Sequence, residues 1–316
     1  MRGVGIVIVT SNSEGEIGAC LDAALATGAE VVVVDNASTD QTRREVLRRP
    51  AARLIANPWN RGLAAGLNQG VEALSRPFVL LLDPDAVLLG GVAALVEALS
   101  EPAAAAAGGK LVDERGRSQA SLVVRRFPNP RALVFEVLGV NRLWPGNPVN
   151  RRYRCRDLNL DAAAEVDQPA GGFVMIRREI WQELGGFDEA FHPVGFEDVD
   201  FLKRVRQAGY RIHYLPSAAA RRRGGRPPGG VSRKQSLFYW YDGLLKYSAR
   251  HFGPAACWVI CLAVMLRCVP QAVLGIFRPK GARRLAIHGR IIGLAARCLV
   301  SGRSGRASWS PMVAGW

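Results

Sequence analysis

The chain has 316 residues, 49% hydrophobic and 22% charged, a balance that excludes a disordered or fibrous polymer and supplies enough apolar mass for a full core. Its formal net charge of +15 is uneven: residues 1–216 hold 25 of the 42 Lys+Arg and 26 of the 27 Asp+Glu, leaving 17 bases against the single acid Asp242 in residues 217–316. The six cysteines (Cys20, Cys155, Cys257, Cys261, Cys268, Cys298) include no Cys-x-x-Cys pair and only four histidines accompany them, which argues against structural zinc and for reduced thiols in the cytosol.

In chain order, Val4 to Val9 reads as a buried first strand. The apolar run is too short for a signal sequence, and polar Ser11-Asn12-Ser13-Glu14 follows at once. Three runs, Ile6-Val7-Ile8-Val9, Val31-Val32-Val33-Val34 and Phe78-Val79-Leu80-Leu81-Leu82, end respectively in Thr10-Ser11-Asn12, Asp35-Asn36 and Asp83-Pro84-Asp85. Helical stretches around Ile17 to Thr27, Thr42 to Arg48 and Leu63 to Leu74 separate them. This alternation predicts an α/β domain built on a mostly parallel sheet with helices on both faces. Ligands of such sheets bind beyond the carboxyl ends of the strands, so the three polar tips should meet at one crevice.

Residues 102–126 read as a helix end, a short strand and a polar loop, and Phe127 to Asn150, rich in Pro, Asn and Trp, as a mobile acceptor-side excursion. Gly171-Gly172 feeds a strand over Phe173 to Ile176, and a helix through Trp181 to Leu184 stops at Gly185-Gly186. From Gly195 to Gly209 the spacing is helical, with Phe201, Leu202, Val205 and Ala208 on one apolar stripe. Asp198 stands one turn before Leu202, at a helix N-terminus where the dipole favours its ionised form.

Beyond Pro216 the chain becomes basic, and an aromatic helix ends near His251. The apolar run from Pro254 to Phe277 is interrupted by Arg267 and Pro270, which favours a helix lying in a membrane interface over one that spans, with Arg278, Lys280, Arg283, Arg284 and Arg290 meeting headgroups. An amphipathic helix capping the domain satisfies the same spacing. The apolar runs favour anionic lipid, not nucleic acid, as partner of the basic tail.

Two carboxylates one residue apart, Asp83 and Asp85, suit Mg²⁺ or Mn²⁺ held against a diphosphate, although a simple turn uses the same residues. Asp35 and the later trio Glu197, Asp198 and Asp200 give them company at strand and helix ends, the pattern of cation binding or acid–base work.

In order along residues 4–216, the chain resembles glycosyltransferase family 2, closest to its rhamnosyltransferase-like branch. The resemblance rests on Val31 to Asp40, Asn60 to Gly70, Leu81 to Asp85, Gly171 to Arg178, Gly185 to Glu189 and Glu197 to Asp200. It implies a GT-A fold over residues 1–216; the charge and spacing beyond it give a basic helical region over 217–316. The resemblance implies that Asp35 bonds a nucleobase with Thr10 and Asn12 in the same pocket, that Asn60, Gly62 and Asn68 shape the nucleoside side, and that Asp85 with Asp83 holds the metal. Asp198 would be the general base, Glu197 the alternative and Asp200 a helix-end support. One carboxylate acting directly on the acceptor implies a single displacement and inversion. The resemblance favours a dTDP-rhamnose donor and a cell-envelope glycan or lipid-linked acceptor; the unpaired cysteines and the basic, apolar tail add the expectation of a cytoplasmic protein associated with the inner face of the membrane. Related enzymes often carry a histidine beside the metal where this chain has Arg221-Arg222-Arg223; either water completes the metal shell, or Arg222 or Arg223 meets the diphosphate. A non-catalytic membrane or polyanion binder on a degenerate domain, or a nucleotidyltransferase, remain the alternatives.

Overall fold

The computed structural model describes residues 3–118, 124–222, 233–276 and 282–301, with the side chains of 233, 234, 275, 276, 282–284 and 301 left aside. Strand β1 (Val4–Thr10) is buried along its whole length, as is Val31–Val34 of β2 (Glu30–Asn36), which is the burial expected of strands covered on both sides. Between and after them come α1 (Ile17–Ala26), α2 (Thr42–Leu47), β3 (Ala52–Asn57), α3 (Leu63–Glu72) and β4 (Phe78–Leu82). The chain continues with β5 (Ala86–Gly90), α4 (Val92–Ala98), β6 (Ala104–Val112) and β7 (Val124–Arg125). Then follow β8 (Ala164–Glu165), β9 (Gln168–Pro169), β10 (Phe173–Arg177), α5 (Arg178–Glu183), α6 (Glu197–Gln207) and β11 (Arg211–Arg222).

One nine-stranded sheet takes the order β3-β2-β1-β4-β10-β6-β11-β5, with β8 beside β11. Strands β1, β2, β3, β4, β6 and β11 point one way; β5, β8 and β10 oppose them. The sheet is therefore mostly parallel in direction, and the tips of β1, β2 and β4 share one edge. Helix α3 packs on β1 and β2, α1 on β5, and α4 on β6 and β11. A small second sheet pairs β7 with β9.

The chain divides into two compact units, one of Met1–Phe127, Arg154–Glu189 and Glu197–Val231, the other of Pro128–Tyr153, Ala190–Phe196 and Ser232–Trp316. The boundary expected at residue 216 falls inside β11, whose pairing with β5 and β6 carries the sheet on to Arg222.

In the second unit, the segment expected as a mobile excursion is helical: Pro130–Leu138, Val140–Leu143 and Pro148–Tyr153. The Asn129 side chain accepts from Ala132 N at 2.9 Å, Pro130 opens the first helix, and Gly139 at φ 77° ends it. Buried asparagines then bond one another, Asn147 Nδ2 to Asn141 Oδ1 at 3.0 Å and Asn150 N to Asn147 Oδ1 at 2.8 Å, satisfying a polar stretch internally. Helix Pro254–Ile276 runs unbroken through Pro270 and packs against helices Pro130–Leu138, Arg233–His251 and Ala282–Ser301. Its inner face is Cys257, Ile260, Cys261, Val264 and Cys268, while Trp258, Val259, Leu262, Leu266, Val269 and Val273 are exposed on the other side. Arg290 rests over the Phe238 ring at 5.2 Å, and Arg278, Lys280, Arg283 and Arg284 lie outside the described side chains.

Candidate active site

At the first two strand tips, the parallel register sets Thr10 beside Asp35. Asp35 is fully buried, and its Oδ2 accepts from Arg43 Nε at 2.6 Å and from Ser38 N at 3.1 Å. Arg43 also donates to Asn57 O at 3.0 Å, fixing its guanidinium between two points. Asp35 Oδ1 and Thr10 Oγ1 are buried and accept or donate no hydrogen bond, so a pair of unsatisfied polar atoms faces the same tip. Asn12, at φ 54°, accepts from Thr39 N at 2.8 Å and donates its own N–H to Ser38 Oγ at 2.9 Å, tying the loop after β1 to the loop after β2.

Next to these two unsatisfied atoms, Asn36 donates to Gly62 O at 2.9 Å and receives Asn57 Nδ2 at 2.9 Å, a buried amide chain that the sequence motifs did not single out. Asn60 Oδ1 accepts from Gly62 N at 2.8 Å, and Gly62 leads into α3 at φ 86°, a conformation that favours glycine. Asn68 instead turns to the Gly185–Glu189 loop: it donates to Phe187 O at 2.9 Å and to Glu189 Oε1 at 3.1 Å, and accepts from Phe187 N at 2.9 Å. Its amide thus acts as a clamp on a distant backbone segment.

The third tip carries the charge. Asp83 follows β4 and, through its N–H to Gly172 O at 2.9 Å, extends the antiparallel pairing of β4 with β10. A Cβ on Gly172 would stand 2.2 Å from Asp83 Oδ2, and one on Gly171 would stand 2.3 Å from Asp198 Oδ2. The two glycines therefore make room for two acids, one from each side. Asp198, in the first turn of α6, also accepts from Val199 N at 2.8 Å. Glu197 is 4% exposed, and Asp200, fully buried, pairs with Arg204 at 2.9 Å while Arg204 holds Leu184 O and Gly186 O. So the helix start presents Asp198, and Asp200 anchors it.

Arg222 reaches this group from the far end of β11. Its Nη2 lies 2.8 Å from Asp83 Oδ2 and its Nε 3.1 Å from Asp85 Oδ2. Burial raises the Asp83 carboxyl above its ordinary range; Arg222 opposes that, and Asp85 and Asp198 add to it. Burial likewise raises Asp198, against the Val199 N–H and the positive charge of Arg125. The carboxylate of Asp83 in turn raises Arg222. Arg125 was absent from the expected site, and only its place on β7 brings its charge to Asp198. Arg223 lies outside the described residues.

Asp85 Oδ1 is buried and accepts no hydrogen bond. An unsatisfied carboxylate oxygen beside a second carboxylate suits a hard divalent cation that takes its other oxygens from diphosphate and water. Among the described residues no third His, Cys, Asp or Glu joins the pair as a metal cluster.

Residues 5–185 match Glycosyl transferase family 2, and residues 152–224 match the N-terminal domain of galactosyltransferase. The chain is 31% identical over 203 residues to N-acetylglucosaminyl-diphospho-decaprenol L-rhamnosyltransferase of Mycobacterium tuberculosis, covering 60% of this chain and 64% of that one. It is 25% identical over 202 residues to pre-mycofactocin glycosyltransferase of the same organism, covering 60% and 37%. Each alignment spans less than two thirds of the relative's length. Among solved structures, a mannosyltransferase from Pyrobaculum calidifontis in complex with GDP-Man and Mn²⁺ superposes at a TM-score of 0.52 with 20% identity, covering 96% of this chain and 86% of that one. GalNAc-T7 with UDP, GalNAc and Mn²⁺ does so at 0.53 with 17% identity, covering 78% and 50%. These likenesses concern the fold, and they bear out the expected GT-A arrangement with its mostly parallel central sheet.

Proposed function

The chain belongs to glycosyl transferase family 2, and from that premise we propose that it moves a sugar, rhamnose in the favoured reading, from a nucleoside diphosphate to a hydroxyl of a lipid-linked cell-envelope acceptor, with inversion. The observation that carries this reading is the convergence on Gly171-Gly172: Asp198 and Asp83, far apart in sequence, each press on one of two adjacent glycines. The relative whose name specifies a rhamnosyl transfer to a diphospho-decaprenol supports the choice of sugar and acceptor class.

Chemistry follows from the placement. Thr10 Oγ1 and Asp35 Oδ1 offer an unsatisfied hydroxyl and carboxylate oxygen to a nucleobase edge, with Arg43 holding the other oxygen of Asp35 in place. Asn12 with Ser38, and Asn60 with Gly62, shape the loops around it. Asp83 and Asp85 would hold Mg²⁺ or Mn²⁺, which supplies positive charge against the departing nucleoside diphosphate. Asp198 takes the acceptor hydroxyl proton as that oxygen attacks the anomeric carbon, a contribution of roughly 10²–10⁴ in rate. Burial keeps Glu197 out of that role in this reading.

By length and composition Pro254–Leu274 is apolar enough to cross a membrane. Because one face is buried against neighbouring helices and the other is an apolar stripe beside exposed Arg267, we take the helix to lie on an anionic leaflet instead. The test of the enzymatic reading is transfer from a panel of nucleotide sugars, dTDP-rhamnose first, by the full chain and by Asp85→Ala. Activity in the wild type and none in the variant is expected; equal donor affinity and rate in both would remove the Asp83–Asp85 assignment.

A further inference from the structure

Strands β5 and β11 run antiparallel, and their register sets Arg222 opposite Ala86, the residue after Asp85. Directly opposed residues stand roughly 5 Å apart. An arginine at that position can therefore reach back over the turn, and here it spans both acids of Asp83-Pro84-Asp85. The side chain is 18% exposed, and the two carboxylates that it contacts are themselves only 22% and 20% exposed. A cation thus already sits on the pair, and it takes Oδ2 of both residues. A divalent ion arriving alone would meet a fixed positive charge within a few ångströms and, among the described residues, no third protein ligand to offset it.

We propose that Arg222 is a resident cation of the diphosphate site: it neutralises Asp83 and Asp85 before the donor arrives, competes with a free divalent cation for them, and releases them when diphosphate oxygens take over its guanidinium. The planar guanidinium fork matches phosphate as well as carboxylate, so the exchange keeps its charge paired throughout. Metal and donor then bind together instead of one after the other. The donor half of this statement rests on the glycosyltransferase reading; the competition with metal does not.

The experiment is a Mn²⁺ titration of the full chain, read by the electron paramagnetic resonance signal of free Mn²⁺, with and without UDP or dTDP. Without nucleotide, Arg222→Gln should bind Mn²⁺ about tenfold or more tightly than wild type, the size Coulomb's law gives for single and double charges roughly 5 Å apart even at the dielectric of water. Arg222→Lys, which keeps the charge, should stay near wild type, and Asp85→Ala should bind none. In the wild type, nucleotide should tighten Mn²⁺ by about tenfold or more, and in Arg222→Gln by less. Equal or weaker Mn²⁺ binding by an Arg222→Gln protein whose circular dichroism is native would overturn the competition, as would a Lys variant that behaves like Gln. If Arg222→Gln does not fold, wild-type Mn²⁺ affinity that is the same with and without nucleotide overturns it. A wild type that binds neither nucleotide, with Mn²⁺ still tightened by Arg222→Gln, would sink the nucleotide-sugar reading and leave the competition standing.

Discussion

Two acidic centres of this chain share one design and differ in how it is built. At Asp35, one carboxylate oxygen is held by Arg43 and the other is buried and unsatisfied; at Asp85, one oxygen is held by Arg222 and the other is again buried and unsatisfied. Arg43 comes from the next helix, eight residues on, and its side chain is 41% exposed. Arg222 comes from 137 residues away and is largely enclosed. The first pair is a local support that leaves one buried oxygen without a partner, the atom that the proposed function gives to a nucleobase. The second sits where three acids accumulate, so its arginine carries charge balance as well as position.

That contrast predicts different kinetic losses at the two centres. The largest belongs to Asp198→Asn, expected to lose turnover by roughly 10²–10⁴ while donor affinity stays near native, measured by steady-state kinetics and nucleotide binding. The same variant should melt no lower than wild type. A buried carboxyl whose folded pKa is raised loses stability as pH rises through that pKa, and a neutral amide removes the effect. Gly172→Ala comes next: its Cβ would stand 2.2 Å from Asp83 Oδ2 and push that carboxylate aside, so Mn²⁺-dependent diphosphate binding should fall with little change in fold. At the other centre, Arg43→Ala should raise the donor KM and leave kcat almost untouched, because Asp35 loses orientation by a net contribution of about 1.5–3 kcal/mol. Equal kcat losses at both centres would break the comparison.

A smaller effect concerns pH. In the proposed reaction Asp198 can serve as base only when ionised, and burial raises its carboxyl, so the acid limb of kcat should lie above the ordinary aspartate value of about 3.9. Arg125 opposes that rise, so Arg125→Gln should move the limb to still higher pH; a limb that shifts down would remove Arg125 from the site. The smallest expected effect is at the second unit, where Leu262→Asp with Leu266→Asp should reduce co-sedimentation with anionic vesicles without changing turnover on a soluble acceptor. Undiminished sedimentation would return that helix to a purely packing role.

Much of the first unit was legible because its signals are local. Continuous apolar runs gave β1, β2 and β4, and helical spacing, with Gly209 as the stop of α6, gave α1, α3 and α6 close to their observed limits. Strand β3 escaped because it is half-exposed, with Arg53 and Asn57 diluting its apolar pattern. Strand β5 escaped because it is only five residues long and begins immediately after Asp85, so its short apolar run is not set apart from the acidic tip. The helices between Pro130 and Tyr153 were hidden by Pro, Asn and Trp, although Asn129-Pro130 and Gly139 are an ordinary start and stop in retrospect. Asn68 was placed with the nucleoside by its motif, whereas its bonds tie it to Phe187, a residue 119 positions away.

By itself, the sequence determined which residues are acidic, which runs are buried and which turns leave a carboxylate at a strand end, because these depend on side-chain chemistry and on periods of two and 3.6 residues. Only the tertiary structure decided which of those acids meet. The antiparallel insertion of β10 beside β4 sets Gly171-Gly172 between Asp83 and Asp198, and the pairing of β5 with β11 brings a guanidinium onto Asp83 and Asp85. Such neighbours are fixed by strand order and register, which the spacing of residues along the chain does not contain.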